Sequence, residues 1–182
     1  MGSVILKKIW LHFKLITKHK WYVFKLSVKA GIPFRGIVHD LSKYSLEEFV
    51  ESCKYYQGNR SPINVARKEN GYSKAWLHHK GRNKHHIEYW YDWNAKEKPI
   101  IPYKYVVEML CDHIAASQVY KGKVWTKEDP LKYWNEVETN RNLFNLKTEK
   151  FVTVIKEEIA NKGIDKIINK KHLKEQYKKY CG

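Results

Sequence analysis

Apolar residues recur every three to four positions along most of the chain, and this spacing predicts amphipathic helices. The pattern begins in residues 4–16 and continues through residues 18–30 to Gly31, a natural helix stop. The same spacing and the capping residues predict further helices over about 46–57, 76–79, 103–120, 148–163 and 164–182, with others starting near 85 and 126. No alternating run predicts a sheet. We therefore expect an all-α fold, a compact bundle of about six to eight helices.

Breaks between the predicted helices come from turn residues. The segment "GNRSP" at 58–62 is expected to be a loop, and "AKEKPIIP" at 95–102 is expected to be a linker. Gly81 and Asn83 predict a break inside the histidine-rich stretch. Thr148 is expected to cap the helix that follows it.

Composition and charge limit the possible partners and compartment. The 182 residues, 43% of them hydrophobic, suffice for one domain. The three cysteines form no CxxC pair, which favours a reducing compartment, and we expect the cytoplasm. No apolar run is long enough to span a bilayer, so no membrane partner is expected. The net charge of +16 attracts polyanions such as nucleic acid, although a lysine-rich solubilising surface explains it equally well.

Candidate metal ligands stand on apolar helix faces. His19 shares its predicted face with Ile16 and Val23, which directs its imidazole toward the core. Asp112 lies on an apolar stripe, where a carboxylate needs either a basic side chain or a metal ion as its partner. The pair His39-Asp40 ends a largely apolar segment, so both side chains are expected at the edge of something buried.

Two sequence blocks carry a resemblance to known families. "HDLSKYSLEEF" and "AWLHHKGRNKHHIEYW" resemble blocks in a family of uncharacterised bacterial and phage proteins. More remotely, the order of His19, His39-Asp40 and Asp112 resembles the HD-domain superfamily of metal-dependent phosphohydrolases. That resemblance implies one metal ion held by these four residues inside a helical bundle. It also implies an HD-like core over residues 1–125, with residues 126–182 as a basic helical extension packed on the same domain.

The stretch "HHKGRNKHH" lies between the HD pair and Asp112. Some HD proteins bind a second metal with extra histidines in this interval, so the resemblance implies a second metal site or an acid–base role for His78, His79, His85 and His86. Alternatively, only one or two of them face the site and the rest lie at the surface. We expect at least one histidine of each pair to face the same cavity as His39-Asp40.

Donor chemistry limits the metals and suggests how substrate is held. Histidine and aspartate ligands without sulfur suit Mn, Fe, Co, Ni or Zn. Phosphate needs cationic partners, and the basic residues beside the proposed ligands are Lys43, Lys80 and Arg82.

The sequence thus favours a metal-dependent phosphohydrolase that acts on a nucleotide or another small phosphoester through metal-activated water. Two alternatives remain open. One is a basic helical protein that binds nucleic acid and holds a structural metal, and the other is a metal-dependent nuclease. Activity against small phosphoesters, compared with DNA or RNA, separates the phosphohydrolase from the nuclease, and salt-dependent association with DNA would support the binding protein.

Overall fold

The structure, a computed structural model, describes residues 2–136 and 141–182, with side chains from residue 5 onward. Within these ranges it is all-α and contains no strand, which confirms the predicted fold class. Ten α-helices are described, more than expected because several are short. They are α1 Gly2–Lys29, α2 Pro33–Val38, α3 Leu46–Lys54, α4 Pro62–Asn70, α5 Lys74–Arg82, α6 Tyr103–Lys121, α7 Asp129–Glu136, α8 Leu146–Lys162, α9 Ile164–Ile167 and α10 Lys170–Cys181.

Helices α1 and α6 pack against each other along the centre of the molecule. Their apolar faces meet at fully buried residues such as Val23 and Leu110. The same core continues into α8 and α10 through Phe151 and Leu173, so residues before and after position 125 share one core. In the described part of the chain, no helix combines the length and apolar character that crossing a bilayer requires.

Several local expectations differ from the structure. Pro62 begins α4 rather than ending a loop, because the first turn of a helix does not need its N–H group. The expected break in the histidine-rich stretch is confirmed at Asn83 rather than at Gly81, since α5 continues to Arg82 and the Asn83 side chain donates to the His79 carbonyl. After this end, the helix expected near position 85 is only a short 3-10 turn over Ile87–Tyr89.

The helix α8 starts earlier than predicted. Asn145 caps it, and the Thr148 hydroxyl instead accepts a hydrogen bond from the Ile101 backbone N–H. The basic C-terminal segment divides into α9 and α10, because Asn169 caps a new helix by accepting from the His172 N–H.

Candidate metal centre

An unusual backbone conformation places the HD pair. Helix α2 ends at Val38, His39 is extended, and Asp40 has φ 53° and ψ 25°. Asp40 is the one non-glycine residue of the described chain with a positive φ. Aspartate tolerates this left-handed region better than most residues, at a cost of about 1 kcal/mol. The turn directs both side chains into the interior, where His39 is 0% and Asp40 is 2% exposed.

A first cluster joins the four residues of the order H…HD…D. The Nε2 atom of His19 lies 3.0 Å from Asp112 Oδ1, 3.3 Å from His39 Nε2 and 3.8 Å from Asp40 Oδ2. The Nε2 atom of His39 lies 3.2 Å from Asp40 Oδ2 and 3.5 Å from Asp112 Oδ1. Ligand atoms about 2.1 Å from one ion are separated by about 3.0–3.4 Å. Three of these five distances fall in that range and the other two exceed it by at most 0.4 Å, so the spacing of this cluster is close to that in the coordination shell of a single ion.

A second cluster lies on the other oxygen of Asp40. Asp40 Oδ1 is 3.2 Å from His79 Nε2 and 3.4 Å from His85 Nε2. His86 completes the group, with its Nε2 atom 2.9 Å from that of His79. Asp40 is thus common to both clusters, and one carboxylate oxygen faces each.

Not every histidine of the stretch "HHKGRNKHH" enters the site. The imidazole of His78 points away, with Nδ1 2.6 Å from Glu48 Oε1 and Nε2 2.9 Å from Glu47 Oε2. The expected role of His78 at the second site therefore lacks geometric support. The other three face the cavity of His39-Asp40, as expected of one member of each pair.

Two buried glutamates hold the outer sides of the imidazoles. Glu108 Oε1 accepts from Nδ1 of His39 at 3.0 Å and lies 3.2 Å from Nδ1 of His85, while Glu108 Oε2 accepts from Arg35. Glu48 Oε2 accepts from Nδ1 of His79 at 2.7 Å. Carboxylates in this position orient metal-binding histidines and fix their tautomers.

Sequence reasoning missed both glutamates. Glu108 lies four residues before Asp112 on α6, and this spacing on one helix face was the available signal. Glu48 stands three residues after Ser45, a spacing that predicts only a capping box. The Ser45 hydroxyl does accept from the Glu48 N–H, at 3.4 Å. The Glu48 carboxylate, however, is engaged by His78 and His79 rather than returning to Ser45.

The carboxylates of the site are ionised. Burial raises the pKa of Asp40, but the charges of His39 and Lys43 outweigh it and hold the pKa well below its usual range. Burial also raises the pKa of Asp112. Hydrogen bonds from His19 and His39 outweigh burial and hold this pKa well below its usual range. The site therefore presents negative charge to a cation.

The surroundings of the buried histidines shift their pKa values in opposite directions. Burial, then repulsion by His85, lowers the pKa of His86 well below 6.5, so its imidazole is neutral. Burial likewise lowers the pKa of His19. For His39 and His79, burial is outweighed by the neighbouring carboxylates, which raise the pKa. A metal ion at this site has to displace protons from these two imidazoles.

The three predicted phosphate-binding residues lie in different places. Lys43 reaches the centre, with Nζ 2.6 Å from Asp40 Oδ2. Burial lowers its pKa, but the carboxylate of Asp40 outweighs burial and raises it. Lys80 is half-buried and Arg82 is exposed at the end of α5. Among the ion pairs of the described residues, neither joins the clusters.

Comparison with known proteins identifies the family. A family model described as "Family of unknown function (DUF5662)" matches residues 8–161, and the chain belongs to this family. This agrees with the resemblance carried by the two sequence blocks. Neither the curated proteins nor the solved structures gave a match to the chain.

Proposed function

We propose that this member of DUF5662 is a metal-dependent phosphohydrolase that acts on a nucleotide or another small phosphoester. The observation that carries the proposal is the shared carboxylate of Asp40. It joins two buried clusters of metal-ligating atoms, with His19, His39 and Asp112 on one side and His79, His85 and His86 on the other. We also propose that the chain is a divergent HD-domain protein of the cytoplasm.

The hydrogen bonds of the centre support metal binding. His39 and His79 donate their Nδ1–H groups to glutamates, so in the neutral imidazole each Nε2 atom carries a lone pair. Both Nε2 atoms face the carboxylate of Asp40 at 3.2 Å, where a proton joins each pair in the metal-free protein and a metal ion can take its place. Acceptors facing acceptors repel one another unless a cation or a proton lies between them. The donor set thus fits Mn, Fe, Co, Ni or Zn.

Buried polar atoms without a well-formed hydrogen bond also support metal binding. In the described chain these include Asp40 Oδ1 and His85 Nε2, which lie 3.4 Å apart, whereas Asp40 Oδ2 is ion-paired with Lys43. Leaving such groups unsatisfied costs about 1–3 kcal/mol each, and more for charged groups. The folded chain has this unfavourable free energy in the metal centre, as expected of a site that is completed by a ligand.

The chain's own groups then have assignable roles. When bound, divalent ions in such a site lower the pKa of water and polarise a phosphoryl oxygen. Glu108 and Glu48 keep the imidazoles in the orientation and tautomer that ligation needs. Lys43 supplies an ammonium 2.6 Å from Asp40 Oδ2, placed to contact a phosphoryl oxygen at the same centre.

Metal analysis followed by a substrate panel tests the proposal. Protein purified without chelator is expected to carry transition metal and to hydrolyse nucleotides or other phosphoesters when that metal is supplied. The informative variant is Asp40→Asn, because asparagine also tolerates the left-handed backbone but lacks the charge. It is expected to lose metal and activity while keeping its helical content. Asp92→Asn, at an exposed turn, is the matched control. Wild-type metal content in Asp40→Asn would refute the shared-carboxylate centre.

A basic groove favours a nuclease as the second candidate. A cavity of about 780 Å³ opens between α1, the end of α6 and the start of α9, and its lysines are Lys18, Lys25, Lys29, Lys123 and Lys127. Helices α1 and α6 also carry His19 and Asp112, so a polyanion in this groove would run along the helices that hold the centre. Hydrolysis of DNA or RNA, without hydrolysis of small phosphoesters in the same panel, would assign the activity to this second candidate.

A further inference from the structure

The outer face of α1 exposes an apolar stripe, defined here as Leu6, Trp10, Phe13, Trp21 and Val28. Their exposed fractions are 68%, 55%, 40%, 56% and 49%, in that order. At 100° per residue the five positions fall within an arc of about 80° on one side of the helix. The buried ligand His19 and the core residue Val23 lie on the other side. The stripe is therefore no part of the core or of the metal centre.

Lysines border the stripe, and α1 contains no acidic residue. The seven lysines of this helix are Lys7, Lys8, Lys14, Lys18, Lys20, Lys25 and Lys29. The ammonium of Lys14 lies 5.0 Å from the Trp10 ring, and that of Lys25 lies 5.9 Å from the Trp21 ring. Lysine stems beside tryptophan rings are typical of helices that lie in the interface of a bilayer, with their charges at the headgroups.

We propose that the apolar stripe of α1 binds the surface of a bilayer containing anionic lipid. The helix lies flat on the membrane, with the stripe in the headgroup region and the metal centre facing away from it. The expectation of no membrane partner rested on the lack of a spanning segment, which leaves such a surface contact open. The aliphatic side chains of Leu6 and Val28 offer nothing for a nucleobase to stack on, which argues against nucleic acid as the partner of this face.

Charge also decides against a second copy of the chain as the occupant. Two stripes packed together would bring the lysines of both copies to one interface, and α1 has no carboxylate to pair with them. Helix pairs of this kind normally rely on opposite charges beside the apolar seam. An anionic lipid surface supplies that negative charge, and each lysine near such a surface strengthens binding about fivefold.

Vesicle sedimentation tests the proposal on the whole chain. The wild type is expected to sediment with vesicles of phosphatidylcholine that contain one third phosphatidylserine, and not with phosphatidylcholine alone. Raising the salt concentration should weaken this binding. Failure to sediment with the anionic vesicles at low salt would overturn the proposal.

Two pairs of variants identify the surface that binds. Trp10→Gln with Trp21→Gln should reduce binding at least tenfold, whereas Trp93→Gln, at an 83% exposed site in a loop, should not change it. Lys7→Gln with Lys14→Gln removes charge while leaving the apolar residues of the stripe unchanged, and should also reduce binding at least tenfold, unlike Lys171→Gln with Lys174→Gln on α10.

Two results would contradict the assignment to lipid. One is equal loss of binding in the stripe variants and in their controls. The other is a wild-type dimer in light scattering that becomes a monomer in the tryptophan pair, which would assign the stripe to a second copy. Circular dichroism checks that each variant keeps its helical content, so a binding loss is not an unfolding effect.

Discussion

Replacement of Glu108 by glutamine should weaken metal binding at both clusters. Its Oε1 atom lies 3.0 Å from Nδ1 of His39 and 3.2 Å from Nδ1 of His85, which belong to different clusters. Burial raises the pKa of Glu108, but the hydrogen bonds from these histidines outweigh it and lower the pKa to about 2. A full negative charge therefore polarises both imidazoles, and glutamine lacks that charge.

The magnitude follows from the number of imidazoles that Glu108 contacts. Loss of one orienting partner typically lowers metal affinity by about 10–100-fold, or about 1.4–2.7 kcal/mol. Because Glu108 contacts one imidazole in each cluster, both dissociation constants should rise by that factor. The glutamine amide would also face the donating Nε–H of Arg35, which now lies 2.6 Å from Glu108 Oε2. The Arg35 side chain is 22% exposed and can turn toward solvent.

Competition with a metal-binding dye measures both affinities in Glu108→Gln and in the wild type. The exposed Glu175→Gln on α10 is the matched control and should retain both affinities. Thermal unfolding without metal separates weaker ligation from a damaged fold. Wild-type affinity in Glu108→Gln would refute the claim that this carboxylate supports the centre. A loss confined to one cluster would limit its role to one histidine.

Three further outcomes are expected. Removal of the ligand in His79→Ala should reduce metal content by elemental analysis, whereas His78→Ala should retain it because its imidazole faces the glutamates; equal losses would contradict the geometry. Lys43→Met should lower kcat/KM at least tenfold with unchanged metal content, because the ammonium is assigned to substrate; unchanged kinetics would refute that role. Burial lowers the pKa of Lys156 from 10.5 to about 7, so the unfolded chain binds more protons between these values and stability rises as pH rises from 7. Below pH 7, Lys156→Met should therefore be more stable than the wild type, by at most about 5 kcal/mol, and this difference should shrink toward pH 10. Urea unfolding measures both stabilities, and a constant difference across this pH range would refute the depressed pKa.

Helical periodicity explains why the sequence predicted the fold and part of the centre. A residue's face on a helix follows from its spacing, so His19 and Asp112 were placed correctly on inward faces without any tertiary knowledge. The first cluster joins these two residues, which lie on the packed helices α1 and α6, to His39 and Asp40, which the turn after α2 places. Its use as a metal site remains a proposal.

The packing of the helices, rather than the spacing in the sequence, determines which histidines reach the site. His78 and His79 diverge by about 100° on α5, and only the packing of α5 against α3 determines which one reaches Asp40. The glutamate that contacts both imidazoles, Glu48, lies on α3, about thirty residues earlier in the chain. The spacing of residues along the sequence does not show that α3 and α5 pack together.

The left-handed backbone of Asp40 gives the strongest physical link between fold and chemistry. Glycine adopts this conformation without strain, so a turn required only for chain reversal would favour glycine there. Aspartate instead adds backbone strain and a buried carboxylate, whose charge requires basic partners such as His39 and Lys43. What it contributes is a carboxylate whose two oxygens face different clusters, with His39 on one side and His79 on the other. A strained residue at the point where both clusters meet supports the proposal of a ligand that both clusters share.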